Sequence, residues 1–204
     1  MKLIIAVAVA YVIYALIWAV MRLVYQNDTN FYTYFMPNIA LPVLAAFKNH
    51  WWTILTYGWF HAPNTFMEMA SNMLWLYCFG SVVQMLVGPK HVIPLYAYSL
   101  LGGGVFYLLA QLLPGGLGTC PPYILGPRAG LMAMTAASIT LTPKYRFYLT
   151  ETFSIPLMVV AGIFTVLMIF GSGFYLPVII LLAGGAFMGF SYVKLLQAGY
   201  RPAD

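Results

Sequence analysis

Six runs of apolar residues, each near the length that crosses a lipid bilayer as a helix, constrain the fold of this chain more than any other feature. They lie near residues 3–25, 65–87, 91–113, 125–142, 155–170 and 174–197. A hydrocarbon core of about 30 Å needs roughly 20 helical residues. Of the 204 residues, 63% are hydrophobic and 6% are charged, so the chain has too few polar residues to cover the surface of a soluble globular domain. We therefore predict one all-α membrane domain over residues 1–204, a bundle of six transmembrane helices.

The distribution of basic residues predicts how this bundle is oriented, because cytoplasmic loops retain lysine and arginine. With the N-terminus inside, three of the nine basic residues lie outside, and six lie inside: Lys2, Lys90, Lys144, Arg146, Lys194 and Arg201. Both termini are therefore expected in the cytoplasm, and this topology suits a bacterial inner membrane. The net charge of +5 reflects the same bias and forms no basic face, so no nucleic-acid partner is expected.

The sequence indicates neither a disulfide nor a bound cofactor. Cys78 falls within the second apolar run and Cys120 in an outer loop, so the two thiols are not expected to meet. Cysteine and histidine clusters with zinc spacing are missing from the sequence, as is a G-x-x-x-x-G-K phosphate loop. We therefore expect no cofactor and no metal.

The connection between the first two apolar runs, residues 26–64, is much longer than the others. It is rich in aromatic residues and carries few charges. Aromatic side chains favour the boundary between hydrocarbon and water. We therefore predict that this loop lies in the membrane interface, with four aromatic side chains at the level of the lipid headgroups: Tyr32, Tyr34, Trp51 and Trp52.

Small residues single out the fourth and sixth runs. Nine of the fourteen residues from 129 to 142 are Gly, Ala, Ser or Thr, a composition typical of a helix enclosed by other helices. The sixth run carries a G-x-x-x-G pattern at Gly185 and Gly189, and Gly126 and Gly130 give another at the start of the fourth. These patterns predict a close crossing of the two helices, although such patterns are also frequent in membrane helices generally.

Three polar residues near the outer ends of the second and fourth runs form a candidate site. Glu68 and Asn72 lie four residues apart and therefore on one helix face, and Arg128 opens the fourth run. Taken singly, Asn72 is typical of a hydrogen bond between helices, and Arg128 and Glu68 could each reach water. Together, the opposite charges of Glu68 and Arg128 favour a shared site.

The order of motifs resembles the rhomboid family of intramembrane serine proteases. The resemblance covers nearly the whole chain and rests on "WTILTYGWFH" before the second helix, "SNMLWLYCFG" within it, "LLGGGVFYLLA" in the third, "GPRAG" at the fourth and "LAGGAFMGF" in the sixth. In that family, helix two carries H-x-x-x-N, whose residues stabilise the oxyanion. Here Asn72 matches the asparagine, but Glu68 stands at the histidine position.

The resemblance also implies that the catalytic pair is missing. In the family, helix four opens with a G-x-S-G-like motif that contains the nucleophilic serine, and helix six supplies the histidine base in H-x-x-G-x-x-x-G. Leu182 stands at the base position when the glycines of helix six are aligned. A gapless reading of helix four puts Arg128 at the serine position, and a shift by one puts Ala129 there.

A serine hydroxyl needs a base to remove its proton, so loss of both groups should abolish acyl transfer by this route. We interpret Glu68 and Arg128 as an ion pair that plugs the former catalytic cavity, with Asn72 as a further polar partner. The resemblance then implies a rhomboid pseudoprotease, surrounded by lipid, which binds the transmembrane helices of client membrane proteins.

Two alternatives remain open from the sequence. One is a rhomboid-type endopeptidase with displaced catalytic residues, for which His61 and a serine such as Ser71 are candidates. The other is a small transporter or channel that uses Glu68 and Arg128 as its pathway. Many transporters are built from two repeats, and the sequence shows no convincing internal repeat.

Overall fold

The described part of the chain contains six helices of 14 residues or more, and each coincides with one of the six apolar runs. A computed structural model describes residues 2–113, 121–148, 150–151 and 153–200. Cys120 lies outside the described residues, while Cys78 is a half-buried free thiol. The helices are α1 (Lys2–Tyr25), α2 (Phe66–Val87), α3 (Val92–Ala110), α4 (Arg128–Leu141), α5 (Leu157–Gly171) and α6 (Leu176–Gln197).

Four of these helices are long and apolar enough to cross a membrane: α1, α2, α3 and α6. Helix α5 is apolar but has only 15 residues. Helix α4 has 14 residues, which gives it a length of about 21 Å at 1.5 Å per residue. The sequence predicted six transmembrane helices; by length and composition, four of the helices described are able to cross a membrane. Pro127 precedes α4 and Pro143 follows it, and proline disfavours the helical conformation in the residue before it, which limits extension of α4 at both ends.

Helix α4 is the centre of the bundle, as its small residues predicted. Its core positions are almost fully buried; α6 packs on it most closely, followed by α2 and α3. A Cβ added at Gly185 would lie 2.3 Å from the Ala129 carbonyl oxygen, and one at Gly189 would lie 2.2 Å from the Ala133 carbonyl oxygen. The backbones of α4 and α6 therefore touch without intervening side chains.

The crossing uses a different face of α4 from the one that the glycine pattern indicated. Its residues toward α6 are Ala129 and Ala133, whereas Gly130 faces the ring of Tyr96 in α3. Gly126 lies before the helix with φ +113 and has open space around it. The expected pairing of Gly126 and Gly130 with α6 is therefore wrong, because the helix begins too late for Gly126 to share a face with Gly130.

The long loop after α1 folds into short turns over the end of the bundle where α2 and α4 begin, which we call the outer end. It contains one-turn helices at Leu44–Phe47 and Thr53–Thr56, and β1 (Leu41–Pro42) pairs antiparallel with β2 (Tyr123–Ile124). Tyr57 is fully buried, and its hydroxyl donates to the Leu100 carbonyl oxygen at 2.9 Å. The four aromatic residues expected at headgroup level are all exposed: Tyr32, Tyr34, Trp51 and Trp52.

The opposite end of the bundle carries short connections. A hairpin of β3 (Arg146–Tyr148) and β4 (Ser154–Pro156) joins α4 to α5. His91, between α2 and α3, lies 3.0 Å from the hydroxyl of Tyr192 near the end of α6. This contact places the start of α3 and the end of α6 at the same end, which we call the inner end.

Candidate functional site

Helix α2 presents Glu68 and Asn72 toward α4 from its first two turns. Their spacing of four residues places both side chains on one face. Glu68 lies in the first turn of α2, where a carboxylate interacts favourably with the positive end of the helix dipole. Asn72 is buried, whereas Glu68 is partly exposed.

The structure brings Arg128 and Glu68 together. Arg128 is the first residue of α4, and its Nη2 lies 3.2 Å from Glu68 Oε1. The side chain of Arg128 is 23% exposed and that of Glu68 is 39% exposed. A cation at a helix N-terminus meets the unfavourable end of the dipole, and the neighbouring carboxylate offsets that repulsion.

Asn72 contacts a residue that the sequence analysis did not place beside it. The Asn72 Nδ2 lies 3.2 Å from His61 Nε2, within hydrogen-bond distance. Asn72 was expected to serve Glu68 or Arg128, but its side chain lies one turn deeper than Glu68 and meets the loop before α2 instead. The local signal was a lone histidine, His61, in the aromatic stretch "GWFHAP", five residues before α2 begins at Phe66.

His61 lies in an apolar environment at the edge of the ion pair. It is 1% exposed, and the ring of Tyr11 packs on it edge-to-face with centroids 6.2 Å apart. Among the described residues, its Nδ1 has no hydrogen-bond partner. The pKa of His61 is lowered from 6.5 to about 4, chiefly by burial; the Glu68 carboxylate acts in the opposite direction, and the Arg128 cation contributes to the lowering. The imidazole is therefore neutral at neutral pH.

This environment predicts that acid destabilises the protein through His61. Because the folded-state pKa is about 4 and the ordinary value is 6.5, the unfolded chain binds more protons between these values. The free energy of unfolding therefore falls as the pH falls through this window, by about 2 kcal/mol near pH 5. Thermal unfolding in detergent across the pH range measures the effect. His61→Gln should flatten the profile, and an unchanged profile would show that other groups titrate there.

A cleft opens beside the ion pair, between the outer halves of α2 and α5. It has a volume of about 390 Å³ and is lined by Glu68, Ser71, Asn72, Trp75, Arg128, Leu167, Met168 and Gly171. In the inner half the two helices touch, because the ring of Phe164 lies 4.9 Å from Trp75 and 5.3 Å from Phe79 between centroids. We call the opening above these rings the outer cleft.

The nucleophile and base positions implied by the resemblance differ in their surroundings. Ala129 is fully buried against Gly185 and Gly103, and Leu182 is buried. Arg128 instead lines the outer cleft and a neighbouring cavity of about 310 Å³. Of the two readings of helix four, the one that places Arg128 at the serine position therefore puts a side chain into the cleft.

The described residues offer no serine in hydrogen-bond contact with a histidine. The hydrogen bond of His61 joins Asn72, and that of His50 joins the Ala46 carbonyl oxygen. Ser172 is buried, and its hydroxyl donates to the Ile169 carbonyl oxygen at 2.6 Å. Over the same part of the chain, no three His, Cys, Asp or Glu side chains cluster closely enough to hold a metal ion.

Comparison with known proteins gives two matches. The model of the family described as "Rhomboid domain" matches residues 48–198. A protein of Arabidopsis thaliana named RHOMBOID-like protein 12, mitochondrial, is 33% identical over 109 residues, which cover 48% of this chain and 32% of that protein. The match therefore spans about a third of the relative's length.

Proposed function

This chain belongs to the rhomboid family, since the family model covers residues 48–198, and we propose that it is a proteolytically inactive member that binds transmembrane helices. The resemblance stated from the sequence is thereby confirmed at the level of the family. One observation carries the proposal of inactivity. Arg128, which a gapless reading of helix four puts at the position of the family's serine, lines the outer cleft and pairs with Glu68 at 3.2 Å.

The chemistry of these groups supports inactivity. A guanidinium remains protonated in proteins, so Arg128 cannot attack a peptide carbonyl. Leu182, at the base position, has no proton acceptor. Asn72 retains the residue type of the oxyanion site, but an oxyanion donor alone supplies neither a nucleophile nor a base.

The outer cleft supports the binding half of the proposal. Its α5 wall is apolar, with Leu167 exposed and Met168 half-buried beside Gly171. Its α2 wall ends at Glu68, which pairs with Arg128 at the start of α4. An apolar helix that carries one polar side chain would satisfy both surfaces, because polar side chains between membrane helices form stabilising hydrogen bonds. The proposed clients are therefore single-span proteins with one polar residue in the outer half of the span.

Photocrosslinking in liposomes tests this proposal. A photoreactive residue at position 167, in place of Leu167, should capture a synthetic transmembrane peptide of leucines that carries one asparagine in the outer half of the span. It should capture the all-leucine peptide several-fold less. Leu16 is the matched control position, since it is 60% exposed on α1 compared with 53% for Leu167 on α5. It is expected to capture both peptides equally weakly.

Filling the cleft provides the second control. A Cβ added at Gly171 meets nothing within 4 Å, so Gly171→Leu should occupy the outer cleft without disturbing the fold and should reduce capture at Leu167. Gly162 in the same helix also faces open space, and Gly162→Leu should leave capture unchanged. Equal capture from Leu167 and Leu16, or no effect of Gly171→Leu, would contradict binding in the cleft.

A protease with displaced residues is the competing function, because Ser71 lines the outer cleft. The hydrogen bond of His61 to Asn72 favours the inactive reading over this one. A fluorophosphonate probe distinguishes the two: we expect no labelling of the purified protein. Labelling that disappears with Ser71→Ala would establish a serine hydrolase.

The protein is an integral, multi-pass membrane protein, and its orientation and host membrane are part of the proposal. We place both termini and the inner end on the cytoplasmic or equivalent side, on the basis of six basic residues there. The Arabidopsis relative is named as mitochondrial. That relative therefore gives no support to the bacterial inner membrane of the sequence analysis.

A further inference from the structure

The hairpin between α4 and α5 presents aromatic side chains at the inner end of the bundle. Its strands β3 and β4 pair antiparallel, with Tyr148 opposite Ser154. Phe147 packs against the hydrophobic core, so the hairpin rests on the bundle through one face. Tyr148 is 74% exposed, and Phe153 is 55% exposed. The other face and the tip of the hairpin therefore present aromatic residues to the surroundings of the protein.

The base of this hairpin lies at the level where α2 ends. The ring centroids of Phe164 in α5 and Phe79 in α2 lie 5.3 Å apart. From this contact α5 runs back to its start at Leu157, and α2 runs on to its end at Val87, which are distances of about 10 and 12 Å at 1.5 Å per residue. The Leu157 N–H donates to the Tyr145 carbonyl oxygen at 2.8 Å and holds the hairpin at this level. Because α2 is long enough to cross a membrane, the base of the hairpin is expected beside the lipid headgroups.

The hairpin is also basic near its base. Lys144 and Arg146 are both exposed. The Arg146 Nε donates to Ser154 Oγ at 2.9 Å, which places the guanidinium on the face that carries Tyr148. The acidic residue of the hairpin, Glu151, lies in the turn between the strands. Aromatic side chains favour the interface between hydrocarbon and water, and basic side chains next to a membrane attract anionic lipids.

We propose that the hairpin of β3 and β4 lies in the headgroup layer of the surrounding membrane and binds its anionic lipids. Tyr148 and Phe153 insert at the boundary of the hydrocarbon, Lys144 and Arg146 contact lipid phosphates, and Glu151 stays in water. The membrane is the partner because the hairpin leads directly into α5, an apolar helix, at headgroup level. This surface is at the opposite end from the outer cleft, so it stands independently of the proposed function.

Fluorescence quenching in nanodiscs locates the hairpin relative to the lipid. Tyr148→Cys, Phe153→Cys and Glu151→Cys, each in a chain with Cys78→Ser and Cys120→Ser, carry the same fluorophore. A lipid with a nitroxide on its headgroup should quench the labels at positions 148 and 153 more strongly than iodide in the water does. The label at position 151 should show the reverse and thereby controls for any effect of the fluorophore itself. Stronger quenching by iodide at all three positions would overturn the proposal.

The composition of the nanodisc tests the class of lipid. Addition of phosphatidylglycerol to phosphatidylcholine should increase headgroup quenching of the label at position 153. Lys144→Gln should then lower the ratio of inserted to water-exposed hairpin about fivefold, since a basic residue near an anionic surface contributes about 1 kcal/mol. Equal quenching with and without phosphatidylglycerol would overturn the binding of anionic lipids.

Two further variants separate local charge from other effects. Arg146→Lys keeps the charge but loses the paired hydrogen bonds to Ser154, and it should retain the response to phosphatidylglycerol. Lys194→Gln removes one charge in the last turn of α6 and should have little effect on the label at position 153. Melting temperatures establish that all variants are folded. Equal effects of Lys144→Gln and Lys194→Gln would show that only the overall charge matters and would contradict a lipid contact at the hairpin.

Discussion

Glu68→Gln is expected to lower the free energy of unfolding in detergent by about 3 kcal/mol. The substitution keeps the shape of the side chain but leaves the Arg128 guanidinium without a counter-charge at the N-terminus of α4. An uncompensated charge costs about 3–5 kcal/mol at a fully buried site and about 2.5–3.5 kcal/mol for arginine at the centre of a membrane helix. The partial exposure of both side chains favours the lower part of these ranges.

The coupling between the two residues is measured by a double-mutant cycle. Arg128→Gln should also destabilise the protein, and the double variant should cost less than the sum of the two, with a coupling of about 1–2 kcal/mol. The matched control is the pair of Arg22 and Asp28, whose nearest atoms lie 3.6 Å apart and whose arginine is 58% exposed compared with 23% for Arg128. Its coupling should stay below about 0.5 kcal/mol. Additive effects of the two substitutions would contradict the interpretation that Glu68 and Arg128 form an ion pair that fills the cavity.

A double variant of Glu68 and Arg128 distinguishes a role in stability from a role in binding the client helix. Replacing both Glu68 and Arg128 by leucine removes the charges together, and such replacements are often neutral or stabilising for buried pairs. If the pair only fills the cleft, capture of the asparagine peptide at Leu167 should persist in this variant. If the pair recognises a polar client residue, as we propose, capture should fall to the level of the all-leucine peptide while the protein remains folded.

Gly189→Ala is expected to cost about 3 kcal/mol in the free energy of unfolding. Its new methyl group would lie 2.2 Å from the Ala133 carbonyl oxygen and 2.7 Å from the Ala133 Cα. Backbone cannot rotate away as a side chain can, so α4 and α6 must separate and lose their contact along the crossing. Overpacking of this kind costs about 1–3 kcal/mol when neighbouring side chains can adjust, and more when they cannot. Thermal unfolding in detergent measures the loss.

Two glycines of the same chain serve as controls for this prediction. A methyl group at Gly102 would meet only the flexible side chain of Met188, so Gly102→Ala should cost less than Gly189→Ala. A methyl group at Gly162 meets nothing within 4 Å, and Gly162→Ala should be neutral or stabilise α5 by up to about 1 kcal/mol. Equal effects at Gly189 and Gly162 would show that the close crossing does not hold the bundle together.

Hydrophobic periodicity, composition and motif order predicted most of the fold. All six helices appear where long apolar runs predicted them, because a chain in lipid must satisfy its backbone hydrogen bonds within each segment. The small residues of α4 likewise predicted its burial. Spacing along one helix also put Glu68 and Asn72 on one face, and their position near Arg128 followed from the expected up-and-down order of the helices.

The sequence by itself determined that the chain is helical and lies in a membrane, and its resemblance predicted that Arg128 or Ala129 and Leu182 stand at the positions of the family's reactive residues. Only the tertiary structure decided that Ala129 and Ala133, rather than Gly126 and Gly130, meet α6, and that Asn72 contacts His61. The physical reason is that sequence patterns report on neighbouring residues along the chain, whereas these contacts join residues that are distant in sequence. Hydrophobic periodicity fixes which residues of one helix share a face, but the rotation of that helix and the path of its loops depend on contacts between distant segments.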